Sequence, residues 1–254
     1  MTKLLELHAV SKSFGGLQVN RDISFNLASG DRVALIGPNG AGKTTLVNLL
    51  SGGVPLTGGR ILFDGEDISS LPIAARVNKG LVRTFQVTRL FGSLTAAENV
   101  ALAILQRKKM TRRFFSVAAQ ASGIRAECQE RLQTLGLAGL GGQPVAQLAY
   151  GQQRLLEMAM GLALNPKVLL LDEPAAGVPH DEVPKLLDAI DSLPPGIAVL
   201  MIEHDMDLVF RFANRVLVLA HGHLLFEGTP AAAASDGEVR RAYLGSYADA
   251  RRPA

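Results

Sequence analysis

The sequence predicts an α/β fold with a mostly parallel sheet and an inserted helical segment. Short apolar runs, which are typical of buried parallel strands, alternate with helical patterns near both ends of the chain. From about residue 87 to residue 164 the apolar residues instead recur mostly at helical spacing. We therefore expect a core formed by residues 1–86 and 165–254, and a helical subdomain formed by residues 87–164.

The first part of the core is predicted to be rich in strands. Leu5 and Leu7 alternate with Glu6 and His8, which predicts a strand with one buried face. Residues 33–36 form a continuous apolar run that is typical of a strand buried on both faces. The other elements expected in this part are strands at 17–27, 60–63 and 81–84 and a helix at 44–50.

Strands and helices alternate again after the helical segment. Within that segment, helices are expected at 94–105 and 124–135, and apolar residues after residue 150 predict a third helix. Residues 168–171 are a second continuous apolar run and predict a buried strand. The chain then predicts a helix at 181–193, a strand at 197–202, a helix at 205–212 and strands at 215–219 and 223–226.

The composition is that of a globular protein, with 254 residues, 48% of them hydrophobic and 19% charged. The single cysteine, Cys128, excludes an intrachain disulfide and a cysteine-based zinc site, and it fits a reducing compartment. A net charge of +3 is too small to indicate nucleic acid, so we expect no nucleic-acid partner. The chain shows neither a long apolar run nor a secretory signal, so we expect no membrane span.

Residues 37–45 match the phosphate-binding pattern G-x-x-x-x-G-K-[ST], between a predicted strand and a predicted helix. Glycines let backbone N–H groups point at a polyphosphate, and the helix N-terminus adds its positive dipole. We expect Lys43 to contact the β- and γ-phosphates and the Thr44 hydroxyl to bind Mg²⁺. The predicted nucleotide-binding residues are Gly37, Pro38, Asn39, Gly40, Ala41, Gly42, Lys43, Thr44 and Thr45.

Two acids follow the apolar run at 168–171. In open α/β sheets ligands bind at the C-terminal ends of the strands, which is where these acids are expected. Asp172 is predicted to hold Mg²⁺, directly or through water, and Glu173 to polarise the attacking water as a general base. Alone, the pair fits a strand that ends in solvated acids equally well, and the phosphate loop favours the catalytic interpretation.

Three further features narrow the class, because a phosphate loop alone also fits a kinase, a GTPase or a helicase. The segment LAYGQQR at residues 148–154 opens a predicted helix, and Gln86 and His204 each follow a predicted strand. In this order the set resembles the ATP-binding cassette (ABC) ATPases over nearly the whole chain. The resemblance implies a single P-loop NTPase domain over residues 1–254, with an N-terminal antiparallel β subdomain and a helical subdomain that carries the signature motif.

The resemblance also implies roles. Phe14 falls where the family places an aromatic ring on adenine, although a core phenylalanine fits there too. Gln86 matches a glutamine that meets Mg²⁺ and water, and His204 a histidine that contacts the γ-phosphate and supports Glu173. ATP is implied to lie between two head-to-tail protomers, bound by the signature of the opposite protomer. The matching signature residues are Ala149, Tyr150, Gly151 and Gln152.

Several sequence segments resemble one branch of the ABC ATPases, the LivG-type ATP-binding subunits of branched-chain amino-acid importers. These segments are RTFQVTRLF, LAYGQQR, DEPAAG, IEHDM, EGTP and RAYLG. The branch implies a peripheral position on the cytoplasmic face of the inner membrane and separate permease subunits. It also implies a LivF-like ATPase subunit or a second copy as partner and, indirectly, a periplasmic or extracellular solute-binding protein. Urea, short amides and aromatic acids are alternative solutes. A soluble non-transport ABC ATPase and a nucleotide-binding regulatory module are the alternative functions.

Two features of the sequence depart from the usual ABC ATPase pattern, and one basic segment has no role in that pattern. Ala149 and Tyr150 replace the serine and first glycine of the common L-S-G-G-Q signature. Pro179 stands where the family usually has Asn or Asp, so we expect active but weakly cooperative hydrolysis. A basic cluster fits either a solvated helix end or contact with anionic headgroups or a permease, and it consists of Arg107, Lys108, Lys109, Arg112 and Arg113.

Overall fold

A computed structural model describes residues 3–84, 90–110 and 114–244. The elements in chain order are β1 (Lys3–Phe14), β2 (Leu17–Ala28), β3 (Arg32–Ile36), α1 (Lys43–Ser51), β4 (Gly58–Phe63), β5 (Glu66–Asp67), α2 (Ile73–Lys79), β6 (Leu81–Arg83), α3 (Ala96–Arg107), α4 (Phe114–Thr134), α5 (Tyr150–Ala163), β7 (Val168–Asp172), α6 (Val183–Asp191), β8 (Ala198–Ile202), α7 (Met206–Phe212), β9 (Arg215–Ala220), β10 (His223–Gly228), α8 (Pro230–Ser235) and α9 (Gly237–Val239). None of the helices in these ranges has the length and apolarity that crossing a bilayer requires.

The chain divides into two compact units. The first unit comprises Met1–Arg76 and Pro195–Ala254, and the second comprises Val77–Pro194. The predicted subdomain bounds at residues 87 and 164 stay a prediction.

The N-terminal sheet of the first unit is antiparallel, with strand order β2-β1-β4-β5. Leu5 pairs with Leu27 on one side and with Phe63 on the other, and all three side chains are buried. This sheet is the antiparallel subdomain that the family resemblance implies. The alternation seen at Leu5 and Leu7 correctly predicted its buried face.

The second sheet of the first unit has the order β10-β9-β3-β8. Strand β3 runs parallel to both β8 and β9, and only β10 pairs antiparallel with β9. Every residue of β8 is buried, as a continuous apolar run predicts for a parallel strand covered on both faces.

The second unit contains the parallel pair β6 and β7 and the helices α3, α4, α5 and α6. Helices α3, α4 and α5 pack on one another. Thr95 and Glu98 form a capping box that fixes the start of α3, where Glu98 accepts hydrogen bonds from Thr95 that lower the pKa of its carboxyl. Cys128 is buried on α4, and burial raises the pKa of its thiol, which makes it a poor nucleophile.

Helix α2 was not predicted, and it carries a buried arginine. The Arg76 side chain is 1% exposed and donates hydrogen bonds of 2.7–3.0 Å to the carbonyls of Leu49, Leu50, Leu71 and Ser69. Burial lowers the pKa of its guanidinium from the usual value. Arg76 therefore ties the end of α1 to the chain that leads into α2.

We expect Arg76→Met to lower the free energy of unfolding by about 3–5 kcal/mol, because it leaves buried carbonyls without a donor. Urea denaturation followed by circular dichroism measures the loss, with Arg60→Met as the matched exposed control. Equal midpoints for the two variants would contradict this account of Arg76.

Candidate functional site

The phosphate-binding loop lies in the first unit between β3 and α1. Gly37, Gly40 and Gly42 have φ angles of 151°, 79° and 100°, a region that L-residues rarely adopt. A Cβ on Gly42 would lie 2.6 Å from the Asn20 side-chain nitrogen and 2.8 Å from the Val19 carbonyl oxygen. Glycine is therefore required at residue 42 by both backbone conformation and space.

The N-terminus of α1 is arranged for an anion. Gly42 is the N-cap residue and supplies no side-chain acceptor to the first turn of the helix. Lys43 folds back over the loop, where its ammonium donates to the carbonyls of Gly37 and Pro38 at 2.6 and 3.0 Å. Asn39, Gly40 and Thr44 are exposed, whereas Ala41 is buried beneath the loop. These residues form the local structure that the motif predicts, and their binding roles stay predictions.

Phe14 ends β1 and is 50% exposed, so it is not a core phenylalanine. The Lys12 ammonium lies 4.8 Å from the centre of the Phe14 ring and donates to the Pro55 carbonyl at 2.7 Å. An exposed, flat ring of this kind can stack on a base. The adenine contact itself stays a prediction.

His204 follows β8 in the first unit, and its side chain is 59% exposed. The buried carboxylate of Glu203 accepts a hydrogen bond of 3.1 Å from the His204 backbone N–H and lies 3.8 Å from the imidazole Nδ1. Asp205 then caps α7 by accepting from the N–H groups of Asp207 and Leu208. The backbone of His204 is thus fixed by Glu203, a residue to which the sequence analysis assigned no role.

Asp172 and Glu173 lie in the second unit, at the end of β7. Asp172 is 4% exposed, and its carboxylate accepts a hydrogen bond from the Arg83 guanidinium on the adjacent parallel strand β6. Glu173 has a φ of 47°, a left-handed conformation that is strained for a glutamate. Arg83 begins the segment RTFQVTRLF that resembles the family, but the sequence analysis did not predict its pairing with Asp172.

The signature residues form the N-terminus of α5 in the second unit, as predicted. Ala149 is the N-cap residue, and its N–H donates to the Gln152 side-chain oxygen at 3.0 Å. Gly151 packs against the Glu182 carboxylate, which occupies the space that a Cβ would need. The Tyr150 ring is 40% exposed, and its hydroxyl donates to the Ala176 carbonyl at 3.2 Å.

Two residues of the basic cluster pair with an acid on α4. Arg107 pairs with Glu127 at 2.6 Å and also donates to the Ala163 carbonyl, while Lys108 lies 3.3 Å from the same glutamate. These two cations therefore hold the C-terminal end of α3 against α4. Three predicted residues, namely Gln86, Arg112 and Arg113, lie outside the described residues.

Comparison with known proteins agrees with this geometry. The family model described as ABC transporter matches residues 20–176. A protein of Escherichia coli (strain K12) described as high-affinity branched-chain amino acid transport ATP-binding protein LivG is 38% identical over 251 residues, which cover 95% of this chain and 98% of that protein. The lipopolysaccharide export system ATP-binding protein LptB of the same strain is 36% identical over 238 residues, which cover 93% of this chain and 95% of that protein.

A solved structure gives the same fold. The ADP conformation of an ATP-binding cassette of an ABC transporter matches with a TM-score of 0.83 and 27% identity, covering 96% of this chain and 100% of that one. The predicted fold class is therefore confirmed.

The Glu127 cluster predicts a pH-dependent stability. Burial acts to raise the pKa of Glu127, but hydrogen bonds from Arg107 and Lys108 outweigh it and hold the pKa below its usual value. The stabilisation is therefore present at neutral pH and is lost as pH falls through the lowered pKa. We expect Glu127→Gln to cost about 1–2 kcal/mol at pH 7 and almost nothing once the pH lies well below that lowered pKa.

Urea denaturation at several pH values measures this cost, with the exposed neighbour Glu130→Gln as control. A cost for Glu127→Gln that is the same at pH 7 and at acidic pH would show that its charge does not stabilise the helices.

Proposed function

This chain belongs to the ABC transporter family of ATP-binding proteins, and we propose that it is the ATP-hydrolysing subunit of an importer for branched-chain amino acids or a related small solute. The observation that carries the proposal is its 38% identity to the LivG relative, which extends over 95% of the chain. ATP is the nucleotide that the family binds.

The phosphate loop is proposed to bind the triphosphate through backbone N–H groups of residues 37–45, with Lys43 as the charged contact. The exposed hydroxyl of Thr44, the Gln86 amide and the Asp172 carboxylate are oxygen donors of the type that Mg²⁺ prefers. When bound, Mg²⁺ would neutralise charge on the β- and γ-phosphates. Phe14 would support the adenine ring.

Glu173 is proposed to take a proton from the attacking water, and His204 to contact the γ-phosphate. The left-handed backbone at Glu173 supports this role, because strained residues cluster at sites where the surrounding structure enforces a particular side-chain direction. The N-terminus of α5, with Ala149, Tyr150, Gly151 and Gln152, is proposed to bind the γ-phosphate held by a second protomer.

ABC ATPase subunits dimerise and act with membrane permeases. We propose a LivF-like subunit or a second copy as the partner protomer, and a peripheral position on the cytoplasmic face of the inner membrane. A separate solute-binding protein would deliver the solute to the permease. The solute itself is recognised by those subunits, so urea, short amides and aromatic acids stay alternatives to branched-chain amino acids.

We expect the purified chain to hydrolyse ATP in Mg²⁺ and Glu173→Gln to lose at least about a hundredfold of that rate, because a general base contributes this much. The variant should still bind ATP and elute as a dimer in size-exclusion chromatography with ATP. Release of inorganic phosphate measures turnover, and the rate against ATP concentration tests the weak cooperativity expected from Pro179. Glu238→Gln, an exposed glutamate on α9, is the control.

Unchanged turnover in Glu173→Gln would remove this residue from the chemistry. Absence of turnover until a LivF-like chain is added would identify a heterodimer. Turnover that membrane permease subunits never alter would favour a non-transport ABC ATPase. Uptake of labelled leucine into vesicles that carry the permease, with and without a solute-binding protein, separates an importer from an export system like that of LptB.

A further inference from the structure

Tyr150 connects two segments that the proposed function treats separately. It begins α5, the helix whose N-terminus carries the signature, and its hydroxyl donates to the Ala176 carbonyl at 3.2 Å. The Tyr150 ring also packs on Gly177, where an added Cβ would lie 3.2 Å from the ring. A glycine, the usual residue of the common signature, could make neither contact.

The segment that Tyr150 contacts is continuous with the proposed base. Ala176 donates its N–H to the Glu173 carbonyl at 3.0 Å, so one tight turn joins the strained residue 173 to the carbonyl that Tyr150 holds. Gly177 has a φ of 77°, which allows the chain to turn under the tyrosine ring. Two hydrogen bonds therefore connect the Tyr150 hydroxyl to the backbone of Glu173.

The tyrosine is itself fixed from within the second unit. The buried guanidinium of Arg154 donates to the Tyr150 hydroxyl at 2.7 Å, lies 5.1 Å from the centre of its ring, and pairs with Glu157 at 2.9 Å. Because the hydroxyl accepts from Arg154, its own proton is directed at Ala176. A phenol hydroxyl that accepts a hydrogen bond from a guanidinium is also a stronger hydrogen-bond donor than a phenol without such a neighbour.

We propose that Tyr150 is a positioning residue that couples the N-terminus of α5 to residues 173–177, the loop that begins with the proposed base Glu173. This proposal rests on the proposed function, since it gives a consequence to phosphate binding at α5. Binding of a partner protomer's nucleotide at the helix N-terminus acts on the start of α5, and Tyr150 transmits this effect to residues 173–177. The same chain carries Pro179 just beyond this turn, where the side chain that the family usually provides is absent. Tyr150 supplies a fixed contact to this loop at Ala176 and Gly177.

Tyr150→Phe tests the coupling by removing one oxygen atom while keeping the ring on Gly177. We expect kcat for ATP hydrolysis to fall about three- to tenfold, which corresponds to one hydrogen bond, and KM for ATP to stay within about twofold. Hydrogen exchange of the nucleotide-free protein should be faster at the amides of residues 175–178 in the variant. Tyr243→Phe, which removes a hydroxyl from the C-terminal segment, is the control and should leave kcat and this exchange unchanged.

The outcomes separate the inference from the function on which it rests. Equal kcat and equal exchange in the wild type and Tyr150→Phe would overturn the coupling and leave the ATPase assignment intact. A lowered melting temperature with unchanged kcat would show a structural role only, and would also overturn it. A wild type that never hydrolyses ATP would refute the proposed function, and unchanged exchange at residues 175–178 in Tyr150→Phe would then refute the coupling through Tyr150 as well.

Discussion

The proposed nucleotide binding depends on backbone N–H groups that find no acceptor inside their own helix, because these are the groups that we propose bind phosphate. The local structure around them leaves them without a side-chain acceptor. At the start of α1 the N-cap residue is Gly42, which offers no side chain to satisfy these groups. Its left-handed backbone and the closeness of Asn20 and Val19 exclude any other residue. The start of α5 repeats this logic, with Ala149 as an N-cap that also lacks a side-chain acceptor.

Polar side chains in the second unit are oriented by hydrogen bonds from their neighbours. Arg83 satisfies the buried Asp172, because two parallel strands bring their ends to the same edge. Tyr150 receives a hydrogen bond from Arg154 and passes one on to Ala176. The start of the loop after β7 is thus fixed by Arg83 on β6, which holds Asp172, and its next turn by Tyr150 on α5, which holds Ala176.

The sequence predicted the elements that have a strong apolar pattern, and it did not predict side-chain contacts between residues that are far apart in the sequence. Continuous apolar runs gave β3, β7 and β8 within about a residue, since burial on both faces leaves no other composition. Helix α2 escaped notice because its central residue, Arg76, is polar yet buried by carbonyls from distant segments. The Glu127 and Ala176 contacts join residues 20 and 26 positions apart, and no local pattern announces such pairs.

The most direct test of the account is the affinity for ATP of Gly42→Ala, measured by titration calorimetry. We expect Gly42→Ala to bind ATP at least about tenfold more weakly, because an added Cβ displaces the backbone whose N–H groups meet the phosphates. Gly65→Ala is the control, since Gly65 also has a positive φ, lies in the turn between β4 and β5, and has open space around it. Equal affinities in the wild type and both variants would contradict the claim that this loop holds the nucleotide.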